Sequence, residues 1–304
     1  MSRAYLCVSI AVLRDRERGG RPREPLSFAG VTDGVVLRLH PFFERFGAKP
    51  TYLLAPDVLR SPTCLEVFRN LAAACEQGTH LDLEGVPSVR GALTEVTDLF
   101  IQAFGHQPLS FRARTEAHGA GAAPREAREA REALEALGYA VDASGAPDAA
   151  AGGSSQPYFP DPDAAGRAGT PALLEVPVTV RRRRASAMAV LGRWAGTRWL
   201  RPAAGTADGL VRIAEEEIAA ARLAAPLRPV ILHAALDSVD VVPDASPRGA
   251  NEERARSILD RLRALLVFAR RAGIPVVGLA DVPEILAASA GERERQRTPA
   301  QRLA

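Results

Sequence analysis

Three potential metal ligands alternate with leucines in the segment "GTHLDLEG", residues 78–85. His80, Asp82 and Glu84 are two positions apart, so on a β-strand all three side chains would point to the same face. Imidazole and carboxylate groups together suit zinc, iron or manganese. A metal site is one interpretation of this segment, and the polar end of a buried strand is the other.

Two further side chains, Arg112 and His233, could take part in chemistry. Arg112 lies in "LSFRA", residues 109–113, and His233 lies in "PVILHAAL", residues 229–236. A lone histidine in an apolar strand is often a core residue, so His233 by itself does not indicate a site. Asp237 and Asp240 follow it and are interpreted as surface caps.

Short apolar segments alternate with amphipathic, helix-like segments along most of the chain, which is typical of a parallel sheet built from βα units. The predicted strands are residues 4–13, 51–56, 79–83, 109–113, 139–144, 172–180 and 229–236, with a last one near 274–280. This pattern predicts an α/β fold, a distorted (β/α) barrel of about seven parallel strands. Functional sites in such folds lie at the carboxyl ends of the strands.

We expect a single barrel domain at residues 1–290 and a polar, disordered tail at 291–304. The helices are predicted to include one from Ser61 to Gly78, one that ends at Gly47 and one capped by Asp208.

Composition excludes several classes of protein. The chain has 304 residues, 47% of them hydrophobic, and a net charge of +3, so it has enough apolar surface for a core and no strongly basic character. The basic run Arg181–Arg184 is interpreted as a solvated loop, and no nucleic-acid partner is expected. No apolar stretch approaches the length of a membrane span. Three cysteines far apart predict no disulfide framework and a reducing, cytoplasmic location.

The order of the motifs resembles the polysaccharide deacetylase family (the NodB-homology domain), and within it the WalW-like group. The resemblance covers residues 3–285 and is carried by "LCVSIAVLRD", "EQGTHLDLEG", "FGHQPLSFRA", "LEALGYAVDAS" and "VILHAALDSVDVVPDASP". It implies a distorted (β/α) barrel that removes N-acetyl groups from amino sugars with a divalent metal, zinc first among them, held by one aspartate and two histidines. It also implies a second aspartate as base, an arginine that orients the base and a late histidine as general acid.

Carried over to this chain, the resemblance implies metal ligands at His80 and at Asp82 or Glu84, where the family has a second histidine. It makes Arg112 the orienting arginine and His233 the general acid. The aspartate expected near Ala11 is missing, and Arg114 replaces a glycine. The motifs therefore indicate a degenerate active site.

Two hypotheses follow from the resemblance. The first is a barrel that binds a carbohydrate or amino sugar and has lost hydrolysis, with or without a metal, because the loss of a base alone removes about 10²–10⁴ in rate. The alternative is an active hydrolase of C–N bonds with a metal site rebuilt from His80 and Asp82 or Glu84.

Overall fold

A curled sheet of parallel strands with helices packed around it forms the fold, and the predicted single-domain α/β barrel is confirmed. The computed structural model describes residues 2–17, 23–83, 86–114, 124–145, 155–161, 164–168, 173–182, 197–248 and 251–296. Its strands are β1 (Ala4–Val12), β2 (Thr51–Leu54), β3 (Glu76–Asp82), β4 (Ser110–Arg114), β5 (Val141–Asp142), β6 (Pro160–Asp161), β7 (Ala164–Ala168), β8 (Leu174–Glu175), β9 (Val180–Arg182), β10 (Thr197–Trp199), β11 (Val230–Asp237) and β12 (Val276–Val277).

The helices are α1 (His40–Phe46), α2 (Pro56–Leu59), α3 (Pro62–Leu71), α4 (Val89–Phe104), α5 (Pro124–Ala136), α6 (Ala207–Ala224), α7 (Glu252–Arg271) and α8 (Val282–Gln296). A π-helical segment, Gly30–Leu39, leads into α1, and 3₁₀ turns at Ser238–Val241 and Leu279–Asp281 follow β11 and β12.

Seven parallel strands form the main sheet in the spatial order β11–β1–β2–β3–β4–β5–β8, and β12 pairs with β1 beside β2. β1 lies inside this sheet and is apolar on both faces, because one face meets the barrel interior and the other meets the helices. Two antiparallel hairpins, β6–β7 and β9–β10, lie outside the main sheet.

The gap between β8 and β11 is bridged by segments that precede and follow β8. The N–H of Thr179 donates to the carbonyl of His233 at 2.9 Å, and the N–H of His233 donates to Oγ1 of Thr179 at 2.9 Å. Lower in the gap, the N–H of Ile231 donates to Oε1 of Gln156 at 3.0 Å. Higher up, the N–H of Ala235 donates to the carbonyl of Leu200 at 3.3 Å. These bonds close the half-barrel without a further regular strand.

The helix predicted from Ser61 to Gly78 was too long. Ser61 caps α3 as predicted, but the helix ends at Leu71 and β3 begins at Glu76. The carboxylate of Glu76 accepts hydrogen bonds from Oγ1 of Thr51 at 2.8 Å and from the N–H of Ala280 at 3.0 Å. These contacts between distant parts of the chain hold Glu76 in the sheet, and local helix propensity could not reveal them.

Three smaller expectations also need correction. Thr206, not Asp208, caps α6 by accepting from the N–H of Gly209. Arg181 is not a solvated loop residue, because it lies in β9 and its Nη1 is 3.1 Å from a carboxylate oxygen of the buried Glu217. The last helix continues to Gln296, so the first residues of the expected tail are helical. Residues 297–304 lie outside the described ranges.

The three cysteines, Cys7, Cys64 and Cys75, are buried and not in disulfides. None of the helices in the described part of the chain combines the length and apolar character that a membrane span requires.

Gly78 is a position where β3 and β4 approach too closely for a side chain. A Cβ there would lie 2.3 Å from the carbonyl oxygen of Ser110. We expect Gly78→Ala to lower the free energy of unfolding by about 2 kcal/mol, because backbone must move to make room. Urea denaturation measures the change. The control is Gly91→Ala, where the nearest atom is the side-chain oxygen of Ser88 at 3.2 Å. Equal losses in the two variants would contradict the explanation.

Candidate functional site

A cavity of about 410 Å³ opens at the carboxyl ends of the barrel strands. This is the edge where sites of parallel α/β barrels are found. Its polar and aromatic lining residues come from five separate parts of the chain: His80, Arg112, Ser144, Trp199 with Arg201, and Asp237 with Asp240 and Arg248.

His80 and Arg112 lie side by side, as register partners on β3 and β4. His80 is 3% exposed, and neither ring nitrogen makes a well-aligned hydrogen bond with a described residue, although the backbone of Arg112 is near enough to raise the pKa of the ring. Burial and, next, the charge of Arg112 lower the pKa of His80 to about 4, against an opposing effect of Asp237. The imidazole is therefore neutral near pH 7.

The side chain of Arg112 forms no ion pair within 4.0 Å with a described residue, and its Nη1 is buried without a hydrogen-bond partner. Burial lowers the pKa of Arg112, while the negative charges of Asp237 and Asp240 raise it and the charge of Arg248 lowers it. An unpaired guanidinium inside a protein is costly. Its position at the cavity wall is therefore better explained by a ligand than by stability.

Asp237 and Asp240 lie in the cavity wall and are not the surface caps expected from sequence. Nη1 of Arg248 is 3.2 Å from Oδ2 of Asp237 and 3.8 Å from Oδ2 of Asp240, and Oγ of Ser246 donates to Oδ1 of Asp240 at 2.7 Å. The predicted strand stopped at residue 236, one residue before Asp237. If the predicted strand had included residue 237, its alternation would have placed Asp237 on the same face as His233, which lies four positions earlier.

Asp237 is the register partner of Ala11, the position where an aspartate was expected. Side chains of register partners in a parallel sheet point to the same face, so a carboxylate is present beside Ala11, supplied by the neighbouring strand. Asp15, the acid that follows β1, is used elsewhere. It is buried and accepts from the N–H groups of Ala29 and Gly30, at 3.0 and 2.9 Å, at the start of the π-helical segment.

The turn that carries Asp240 is held by that π-helical segment. A Cβ at Gly34 would lie 2.6 Å from the carbonyl oxygen of Ser238, so the two backbones are in direct contact. This packing fixes the turn, and with it Asp240, from outside the cavity.

Trp199 is the last residue of β10 and Arg201 lies two residues after it, and no local sequence pattern indicates their place in the cavity. The guanidinium of Arg201 lies over the ring of Trp199, 5.0 Å from its centroid. Burial and, next, the charge of Arg112 lower the pKa of Arg201 to about 10. Arg201 and Arg112 both line the cavity, so it holds two like charges.

His233 lies on β11, beneath the cavity residues Ala235 and Asp237, and is not exposed. Its Nδ1 is 3.0 Å from the carbonyl oxygen of Val176, and its Nε2 is 2.7 Å from Oγ of Ser9. Since a carbonyl can only accept, Nδ1 carries the proton and Nε2 accepts from the serine. Burial and, next, the charge of Arg112 lower the pKa of His233 to about 3.

Asp82 is not among the residues that line the cavity. Asp82 ends β3, and its Oδ2 is 3.8 Å from Nη2 of Arg16. Glu84 lies outside the described residues, and so does the side chain of Arg114. The metal-binding roles of His80, Asp82 and Glu84 and the catalytic roles of Arg112 and His233 stay predictions.

The described donors do not fit a divalent metal. In the described ranges, no three His, Cys, Asp or Glu side chains come together in a group that could hold one. His80 offers a nitrogen, but Arg112 lies beside it and repels a cation, and Ala11 offers no ligand. We therefore derive no chemical step through a metal.

No family model matches this sequence, and no curated protein matches it. Solved structures do match. The PuuE allantoinase aligns with a TM-score of 0.58 and 17% identity over 94% of this chain and 91% of its own. A probable polysaccharide deacetylase from Pseudomonas aeruginosa PAO1 aligns with a TM-score of 0.56 and 14% identity over 93% and 91%. The chain shares their fold. A GH57-type branching enzyme from Pyrococcus horikoshii also aligns, with a TM-score of 0.56 and 12% identity over 92% and 70%. Since the three names denote different activities, the fold alone does not assign one.

The buried, neutral His233 makes stability depend on pH. The unfolded chain takes up this proton near pH 6.5, whereas the folded chain takes it up only near pH 3. The stabilisation from the neutral ring is fully present above pH 6.5. Below that pH, protonation of His233 in the unfolded chain should lower the free energy of unfolding by about 1.4 kcal/mol for each pH unit. Urea denaturation at pH 7, 6 and 5 measures the slope. His233→Asn, whose amide can still donate to Val176, should have a smaller slope, and identical slopes would refute the assignment.

The unpaired charge of Arg112 predicts that its removal stabilises the protein. Arg112→Met keeps the length of the side chain and should raise the free energy of unfolding by about 1–2 kcal/mol. Thermal and urea unfolding measure the change. Arg181→Met is the matched comparison, because it leaves the buried Glu217 without its ion pair and should be destabilising. A loss of stability in Arg112→Met would show that the cavity compensates its charge.

Proposed function

We propose that this chain is a carbohydrate-binding protein built on a polysaccharide-deacetylase-like barrel, of the WalW-like group, that has lost metal-dependent deacetylation. The fold shared with a probable deacetylase and with a branching enzyme supports a saccharide ligand. The motif strand "GTHLDLEG" and the "FRA" strand support the relationship, because their His80 and Arg112 meet at the expected edge of the barrel.

The composition of the cavity wall carries this proposal. The wall has the size and position of a binding site, yet its titratable groups are three arginines, two aspartates and one histidine. A divalent metal needs several neutral or anionic ligands around one point. Here the histidine faces an arginine, and both aspartates lie near Arg248.

The surroundings of His233 give a second argument against deacetylation. A general acid must reach the leaving group, directly or through one water. His233 has no exposed surface, and both of its nitrogens are engaged, by Val176 and Ser9. Ser9 and His233 are spaced as a nucleophile and a base would be, but neither is exposed to a substrate.

One observation favours the alternative, an active hydrolase. Asp237 stands beside Ala11 and supplies a carboxylate close to the missing position. In such an enzyme Asp237 would take the role of the absent aspartate, with His80 as a neighbouring ligand and with Asp82 or Glu84 completing the site.

Binding and hydrolysis can be separated on the purified protein. We expect isothermal titration to detect binding of at least one tetrasaccharide from a panel of neutral, N-acetylated and acidic members. We expect acetate release from N-acetylated members to stay at background with added zinc, cobalt or manganese. Elemental analysis should find no stoichiometric transition metal, in the wild type or in His80→Ala. Metal lost in His80→Ala, together with acetate release that Asp237→Asn abolishes, would establish the hydrolase instead.

A further inference from the structure

We infer that the cavity recognises a saccharide that carries a carboxylate, such as a uronic acid residue, and that Arg112 binds this group. The inference rests on the proposed carbohydrate-binding function and names the class of sugar. It is carried by the arrangement of charges around the cavity.

Both carboxylates of the cavity wall lie near a single arginine side chain. Arg248 lies within 3.2 Å of Asp237 and 3.8 Å of Asp240, while Ser246 donates to the other oxygen of Asp240. Neither aspartate forms an ion pair with Arg112 within 4.0 Å in the described structure. The positive charge of Arg112 is therefore not neutralised by direct contact.

The guanidinium of Arg112 has a hydrogen-bond donor that no described residue uses. Its Nη1 is buried with no hydrogen-bond partner, and the two ring nitrogens of the neighbouring His80 make no well-aligned hydrogen bond with a described residue. Buried polar groups are nearly always hydrogen-bonded, so two adjacent exceptions at one cavity wall indicate partners that come with a ligand. A planar guanidinium matches a carboxylate with two parallel hydrogen bonds.

The charged side chains of the cavity wall have a net charge of definite sign and size. Among the described side chains that line the cavity, three guanidinium groups meet two carboxylates, an excess of one positive charge. One negative charge on the ligand balances it. Arg201 covers one face of the Trp199 ring, so the same wall adds an aromatic group and a second cation beside Arg112, which suits a sugar with an acidic substituent.

The test compares an acidic tetrasaccharide with its neutral ester and adds neutral and sulfated tetrasaccharides. Isothermal titration is performed with tetragalacturonate, with its methyl ester, with maltotetraose and chitotetraose, and with a sulfated tetrasaccharide. We expect tetragalacturonate to bind at least tenfold more tightly than its ester and than the sulfated sugar. Its affinity should fall as salt is raised, because the contact is ionic.

Variants then locate the contact. Arg112→Gln should weaken tetragalacturonate binding by about 10- to 100-fold and leave the ester unchanged, as expected for a lost charge-assisted pair. Arg112→Lys keeps the charge without the fork and should lie between. Arg256→Gln is the control, because Arg256 is 70% exposed on α7 and does not line the cavity. Circular dichroism confirms that each variant is folded.

The outcomes separate the inference from the proposed function. Equal binding of the acid and its ester, equal binding of the sulfated sugar, or preferred binding of chitotetraose overturns the carboxylate and leaves carbohydrate binding standing. Unchanged binding in Arg112→Gln overturns the role of Arg112. Failure of every saccharide to bind overturns the proposed function itself.

Discussion

His233 makes the central hydrogen bonds that close the barrel between β8 and β11. Its backbone binds Thr179 across the gap, its Nδ1 donates to the carbonyl of Val176, and its Nε2 accepts from Ser9 on the neighbouring strand. These bonds connect β11, β1 and the chain after β8, and they require a neutral ring with a defined tautomer. This closure positions part of the cavity wall, because the segment that it fixes continues to Trp199 and Arg201.

These hydrogen bonds give His233 a structural role that does not depend on any reaction. The residue serves packing and hydrogen bonding that do not involve a substrate. The charged groups of the cavity, which lie above His233, have a different explanation. Arg112 contributes nothing to stability that the structure shows, and its burial opposes folding. Groups of that kind are characteristic of binding sites, where strain and unpaired charge are tolerated for the ligand they meet.

Much of the fold could be predicted from the sequence, because buried parallel strands are continuous apolar segments and their helices are amphipathic. The strand holding His80 and the strand holding Arg112 were placed correctly for this reason. The start of β3 was missed, because Glu76 is held in the sheet by Thr51 and Ala280, which are distant in sequence. The site was predicted in part. Arg201 and Arg248 carry no local signal, since an arginine in a loop is ordinarily solvated and only the folded chain shows which cavity it enters.

The contact between Gly34 and the turn at Ser238–Val241 has a consequence for how such a site diverges. The turn positions Asp240, and Asp240 with Asp237 positions Arg248, yet Gly34 itself touches none of the cavity. A bulkier residue at 34 would displace the turn and redistribute the charges of the wall with every lining residue unchanged. Two relatives with identical cavity residues could then prefer different ligands, and the cause would lie in a glycine on the outer layer of the barrel.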